Sequence, residues 1–311
     1  MSMKVGIVGV GAVGTSCAKA MLLRGSCHEI VLLDLDERRA KGVAADLSHG
    51  AVLCPPVRIR TGGYEDLAGA EVVVVTAGIN EKTGGATDRG ERLGRLLLLP
   101  RNAEIYAEIV PRIAATAPRA TILVVTDPPD PLADVARRFT SQPVFSAGTF
   151  LDTLRFRWQL GERLGCHPAS VEAYVLGEHG TSQVYVWSSA RVGSESVLEL
   201  VSRNGLDEAA FRSDVEKAVK FANIDIIEGT GASQHGIGIV TARILEAMLR
   251  DEGLVAPIGL LQPEYGVTLS LPVVLGRAKE PVTLMPALSA EEKSALRGSA
   301  AVIAKALAAL E

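Results

Sequence analysis

Short, unbroken apolar runs alternate with amphipathic stretches through the first half of this chain. The runs Lys4–Val10, Glu29–Leu33, Val57–Thr61, Glu71–Thr76, Thr121–Thr126 and Val144–Ala147 read as strands. Between several of them lie stretches of helical period, such as Ala12–Arg24 and Asp36–Ser48. Strands that are apolar on both faces belong in a parallel sheet covered by helices on both sides. The expected fold is therefore α/β, with a doubly wound parallel sheet. After about Gly148 the texture changes. A helix over Phe150–Leu164 leads into β-rich runs at Val171–Leu176 and Ser182–Ala190. Helical stretches at Glu208–Glu228 and Gly236–Arg250 follow, then a strand-like Gly266–Leu275 and a C-terminal helix near Ala290–Leu310. This pattern predicts an α+β unit over residues 149–311 behind a first unit over 1–148. No low-complexity linker separates them, so the two should pack closely.

Composition narrows the classes without choosing one. A chain of 311 residues buries about three quarters of its unfolded surface and needs no disulfide or metal staple. Its net charge of −4, from 32 basic and 36 acidic residues, argues against a nucleic-acid surface. No apolar run approaches the ~20 residues of a membrane span. Cys17, Cys27, Cys54 and Cys166 share no CxxC spacing and read as free thiols in a reducing compartment. The early glycines break the apolar core that a signal peptide would need, so a cytoplasmic setting is expected.

Gly9-Val10-Gly11-Ala12-Val13-Gly14 follows the first strand and opens the first helix. In that context GxGxxG is a dinucleotide site of Rossmann type. Gly9 makes the tight turn, Gly11 lets a pyrophosphate approach the backbone, and Gly14 packs helix on strand. Asp34 closes the second strand, where a carboxylate accepts hydrogen bonds from a ribose 2′-hydroxyl. With Asp36 nearby, a 2′-phosphate would be repelled, so NAD is favoured over NADP.

Among five histidines, His28, His49 and His167 sit at element boundaries, and His235 begins a glycine-rich helix start. His179 differs. It follows the apolar run Ala173–Leu176 and lies between glycines in Gly177-Glu178-His179-Gly180, where a strand end can present it to a cleft. Asp152 and Arg155, three apart on the Phe150–Leu164 helix, share a face. An acid there would fix the imidazole tautomer, and an arginine would offer a planar fork to a carboxylate.

These pieces, with Thr76-Ala77-Gly78, Leu151–Arg157, Val175–Gly180 and Glu264–Pro272, occur in an order that resembles the L-lactate/malate dehydrogenase family, most of all its bacterial L-lactate dehydrogenase branch. The resemblance implies an NAD-dependent oxidoreductase that moves hydride reversibly between NADH and a 2-oxo acid. Lactate-like substrates are implied first, with malate or a larger 2-oxo acid as the alternative. It makes His179 the proton donor and acceptor, Asp152 its partner and Arg155 the carboxylate clamp. Ser233 stands where the family has a pocket threonine, and Ile237 where an aliphatic residue touches the nicotinamide. It also implies cofactor contacts at Val13, Tyr64, Ala77, Gly78 and Thr126, no metal, and a homo-tetramer or dimer. A non-catalytic NAD-binding protein would keep the glycine motif alone. NAD-dependent glycosidases need a metal-binding cysteine and histidine arrangement that Cys166-His167 does not resemble.

Three departures matter. The loop Ile79–Asn102 is longer than the family's by the polar stretch Glu81–Asp88, as a mobile lid would be. Counting seven back from Asn102 gives Arg95 as the arginine that polarises the carbonyl, and Arg89 then falls at the specificity position, where arginine marks dicarboxylates. Arg92 competes for either role. Pro100 is tolerated only in a helix's first turn, so the helix should start late, with Leu96–Leu99 partly in the lid. The second departure is Asp127, where the family has asparagine. An ionised Asp127 ~5 Å from a substrate carboxylate costs about 3 kcal/mol at an effective dielectric near 20. It must be protonated, pair with an arginine, or meet a donor group on the substrate; pairing or an unusual substrate is expected. The third is Glu172, which stands where relatives activated by fructose 1,6-bisphosphate have histidine, while Arg157 keeps their arginine. Activation by that sugar phosphate is not expected.

Overall fold

The computed structural model describes residues 3–276 and 281–311. Its first half runs β1 (Lys4–Val8), α1 (Ala12–Arg24), β2 (Glu29–Leu33), α2 (Glu37–Ala51), β3 (Arg58–Thr61), β4 (Val72–Val75), α3 (Leu99–Thr116), β5 (Thr121–Val124), α4 (Pro129–Arg137) and β6 (Val144–Ser146). The six strands are parallel, in the order β3-β2-β1-β4-β5-β6. The order reverses between β1 and β4, and a doubly wound sheet binds its ligand beyond the strand ends at such a switch.

The alternation of side chains explains the two covered faces. Val5, Ile7, Ile30, Leu32, Val72 and Val74 pack with α1 residues such as Met21 in one core cluster. Val8, Val31, Leu33, Val73 and Val75 pack with Tyr106, Val110 and Ile113 of α3 and Leu132 of α4 in the other.

The second half runs α5 (Phe150–Leu164), β7 (Val171–Leu176), β8 (Val184–Val192), β9 (Glu195–Ser196), α6 (Val197–Arg203), α7 (Glu208–Lys220), α8 (Ala222–Thr230), α9 (His235–Arg250), β10 (Leu254–Gln262), β11 (Val267–Leu275) and α10 (Ala290–Ala308). β7, β8 and β9 form a separate antiparallel sheet. Phe156 packs edge-on against Trp187, and Trp187 against Phe211, beneath it.

Two details differ from the sequence expectation, and one, the late start of α3, meets it. Glu208–Glu228 is two helices, because Phe221 leaves helical geometry at φ −100°, ψ 2° and ends α7 before α8 begins. The α3 helix begins at Leu99, with Pro100 in its first turn, after a 3-10 turn over Gly94–Leu98. β10 is an added strand: it pairs antiparallel with β11 and meets β6 at Gly259↔Ser146, which widens the main sheet to eight strands. Both halves of the sequence therefore contribute to one sheet. α9 crosses α1 at Gly238, where a Cβ would lie 2.7 Å from Ser16 Oγ.

Candidate active site

The glycine turn is shaped by close approach on two sides and space on the third. Gly9 has φ +97°, and a Cβ there would lie 2.5 Å from Ala77 N; one on Gly14 would lie 2.0 Å from Gly9 O. A Cβ on Gly11, by contrast, would meet nothing within 4 Å. Gly11 is the N-cap of α1 and supplies no side-chain cap, so the helix's first N–H groups face an open cradle. Asp34 is set beside it: Oδ2 accepts from Val10 N at 2.6 Å and Oδ1 from Asp36 N at 2.9 Å. Val13 and Ile237 pack against the same apolar cluster as Leu151. Tyr64 lies under the Arg112 guanidinium, 3.9 Å from its ring centroid. An open glycine cradle, a half-buried strand-end carboxylate and an apolar wall fit a dinucleotide.

The ends of β4 and β5 are tied together next to this cradle. Thr126 Oγ1 donates to Ala77 O at 2.9 Å, and a Cβ on Gly78 would strike Thr126 Cγ2. Asn102 bridges the two loops, accepting from Ile79 N at 2.8 Å and donating to Asp127 O at 2.7 Å.

His179 stands across the cleft, buried, at the end of β7. Its Nδ1 is hydrogen-bonded to Asp152 Oδ2. Asp152 Oδ1 accepts from Arg155 Nη1 at 3.0 Å, and Arg155 Nη2 lies 3.5 Å from Ser233 Oγ. Burial works to raise the Asp152 carboxyl, but His179, Arg155 and Arg95 outweigh it and hold it below the usual carboxylate range. The helix is locked to the strand by Val175 N donating to Thr153 Oγ1 at 2.9 Å, one residue from Asp152. The backbone of His179 is held as well: its N–H donates to Asp130 Oδ2 at 2.7 Å. Asp130 is fully buried, and burial lifts its carboxyl to about 6 although Ser146 and the His179 N–H pull the other way.

Arg95 comes from the 3-10 turn ahead of α3 and is buried. Its Nε lies 3.1 Å from Asp127 Oδ2, within ion-pair distance although the N–H does not point along that line. Burial lowers its proton affinity, yet Asp127, Asp152, Glu81 and Glu178 more than compensate and keep it charged. Asp127 Oδ1 is 3.7 Å from His179 Nε2. The carboxylate that the sequence left with three possible fates is thus paired with an arginine.

Arg89 is engaged elsewhere. Its Nη1 donates to Glu228 Oε1 at 2.6 Å, and its Nη2 to Asp225 Oδ1 at 2.5 Å, both on α8. Arg92 offers its carbonyl to Thr181 Oγ1 at 3.1 Å. The loop is therefore docked, leaving a cavity of about 40 Å³ lined by Arg89, Arg95, Thr181 and Asn223. Sequence reasoning did not single out Asp130, Glu81 or the bridging role of Asn102. The bond of Asp130 to His179 spans 49 residues of chain.

Comparison with known proteins agrees with this geometry. Residues 3–145 match the NAD binding domain of the lactate/malate dehydrogenases, and residues 149–311 their alpha/beta C-terminal domain. The L-lactate dehydrogenase of Deinococcus radiodurans is 43% identical over 303 residues, covering 97% of each chain. That of Thermus aquaticus is 43% identical over 318 residues, covering 99% of each. Among solved structures, a lactate dehydrogenase from a Medee basin deep-sea metagenome library superposes with a TM-score of 0.90 at 34% identity over 99% of both chains. The minor L-lactate dehydrogenase of Enterococcus mundtii also gives 0.90, at 32% identity over 100% of this chain and 99% of its own. With the cradle for NAD at one side of the cleft and His179 at the other, the chain belongs to the lactate/malate dehydrogenase family, the NAD-dependent oxidoreductases that act on 2-hydroxy acids.

Proposed function

We propose that this protein interconverts a monocarboxylic 2-oxo acid and its L-2-hydroxy acid, as a lactate dehydrogenase does. The observation that carries the reading is the chain Ser233–Arg155–Asp152–His179, which sets a carboxylate clamp and a proton donor on one rigid wall. Bound nicotinamide supplies or accepts the hydride. Arg155 takes the substrate carboxylate with its planar fork. His179 Nε2 delivers a proton to the C2 oxygen in reduction and removes it in oxidation, while Asp152 fixes Nδ1 and stabilises the imidazolium. Arg95 polarises the C2 oxygen, and the docked lid excludes water. Gly9, Gly11, Val13, Gly14, Asp34, Tyr64, Ala77, Gly78, Thr126 and Ile237 hold the cofactor. Residues 1–148 form the cofactor unit and 149–311 the substrate unit.

Monocarboxylate is preferred over dicarboxylate because Arg89, the cation expected to read a second carboxylate, is held by Asp225 and Glu228, and Arg95 faces Asp127. NADH oxidation with pyruvate, oxaloacetate and 2-oxoglutarate tests this. Pyruvate should be turned over with kcat/KM at least tenfold above both diacids. Absence of turnover with every 2-oxo acid would overturn the proposal.

The same reading includes a homo-tetramer or dimer and a cytoplasmic setting. Exposed Val52, Leu53, Trp158 and Ile239 suit contact with further copies of the chain. All four cysteines are free, and burial pushes the Cys17 and Cys27 thiols up to about 12, which keeps them inert. No helix among the described residues is long and apolar enough to cross a membrane. A sedimentation measurement that finds only monomer would remove the oligomer.

A further inference from the structure

Asp127 stands where the charge of a substrate has to be matched. Its Oδ2 lies 3.1 Å from Arg95 Nε and its Oδ1 3.7 Å from His179 Nε2, the two groups to which the C2 oxygen is assigned above. It is mounted on the fixed side of the cleft, not on the lid. Asn102 Nδ2 donates to its carbonyl at 2.7 Å, and Thr126 before it donates to Ala77 O at 2.9 Å. Only 21% of its side chain is exposed, so solvent screens it incompletely. These contacts extend the wall into a chain of alternating sign, from Arg95 through Asp127, His179 and Asp152 to Arg155.

We infer that Asp127 is a specificity-determining residue: by competing with the substrate for Arg95 and His179 it weakens the binding of every 2-oxo acid anion and excludes those with a second carboxylate. This rests on the reaction proposed above and names the group that restricts it to monocarboxylates. Asp152 matches Arg155 at 3.0 Å, and Asp127 matches Arg95 at 3.1 Å. Reduction starts from the His179 imidazolium, so that ring and two arginines face two carboxylates, and one positive charge stays unmatched. Glu81 and Glu178 also act on Arg95 and only add to the negative side. A substrate with one carboxylate uses the remaining charge, set on Arg155, whose own partner is Asp152 rather than Asp127. A diacid brings a second anion with no cation left for it. At ~5 Å from Asp127 and an effective dielectric near 20, that anion binds about a hundredfold more weakly. For Arg89 to supply the missing cation, its bonds to both Glu228 and Asp225 must first break.

Asp127→Asn keeps the shape of the side chain and removes its charge; Asp127→Ser repeats the test should the amide not fold. Two quantities are compared with the wild type and with Arg89→Gln. One is kcat/KM for pyruvate and for oxaloacetate. The other is the dissociation constant of oxamate, an unreactive monoanion shaped like pyruvate, read from quenching of NADH fluorescence. Without the Asp127 charge, oxamate should bind about threefold or more tightly, and KM for pyruvate should fall with it. The oxaloacetate-to-pyruvate ratio of kcat/KM should rise about tenfold or more, mainly through KM, and move less than about threefold in Arg89→Gln. Damage to the fold loosens oxamate, so tighter binding has no merely structural explanation. Oxamate bound no more tightly than in the wild type overturns the inference. So does a fall in kcat with KM and the ratio unmoved, which would place Asp127 in proton transfer instead. A wild type inert toward every 2-oxo acid removes the proposed reaction, and oxamate affinity then still decides whether Asp127 competes for the anion site.

Discussion

His179 is gripped from two sides by buried carboxylates on regular elements, Asp152 on α5 at its ring and Asp130 on α4 at its backbone. Arg95 and Arg89 hang instead on a loop of turns, held by ion pairs to Asp127 and to α8. The wall is preorganised before any substrate arrives, because moving His179 would strand two buried acids. The lid exchanges partners cheaply, because a substrate anion or solvent can replace the acids that hold its arginines. Proton transfer needs the first arrangement and substrate admission the second. The substitutions that follow act on one region or the other, and the contrast predicts very different responses.

The largest effect belongs to the wall. His179→Gln removes the proton donor but keeps the backbone N–H on Asp130. We expect kcat/KM for the preferred 2-oxo acid to fall about a thousandfold or more, with Tm little changed. Stopped-flow measurement of NADH oxidation checks this, and a loss under tenfold would take His179 out of the chemistry.

The two acids that grip His179 also respond to pH in opposite directions. Asp130 is raised from 3.8 to about 6, so between those values the folded protein binds more protons than the unfolded chain. Its contribution to stability therefore declines as pH rises through that window, by at most on the order of 3 kcal/mol. Asp152 is held below its ordinary value, so its contribution is present above about pH 4 and is lost as pH falls further. Asp130→Asn, which still accepts the His179 N–H, should gain stability relative to wild type as urea unfolding is moved from pH 4 to pH 7. A stability difference that is flat across that range would mean Asp130 does not titrate there.

What the sequence made legible follows the same division. Gly9–Gly14, Asp34, Asp152, Arg155 and His179 lie on, or just past the ends of, strands and helices whose pattern marks them as candidates before any coordinates. β10 escaped because Pro257 and Gly259 lie inside it, and both residues read against a strand when no partner is known. Here Pro257 lies opposite Pro272 in the ladder with β11. Asp130 escaped because its partner is distant in sequence. The lid was legible only as polar and long. Counting back from Asn102 pointed to Arg95, which lies on the 3-10 turn Gly94–Leu98 beside Asp127. It did not fix Arg89, because the count presumes that the inserted residues lie before it. How the loop lies is decided by the contacts of Arg95 with Asp127 and of Arg89 with α8, and these leave no mark in local composition.

The smallest effect, and the one that separates the regions most cleanly, comes from the clasp between Arg89 and α8. Glu228 Oε1 and Oε2 both accept from Arg89, and Asp225 adds a third contact, yet all three side chains are largely exposed. Such pairs are weak and screened by salt, since the Debye length shrinks from ~10 Å at 0.1 M to ~3 Å at 1 M. Arg89→Ala should therefore raise KM only about two- to fivefold, with Tm unchanged. High salt should reproduce that rise in the wild type and add little in the variant. His179→Gln should show no such salt dependence of its defect. If salt and Arg89→Ala act additively, the clasp does not hold the lid, and the docking must rest on its apolar contacts, of which buried Ala86 is the first to replace.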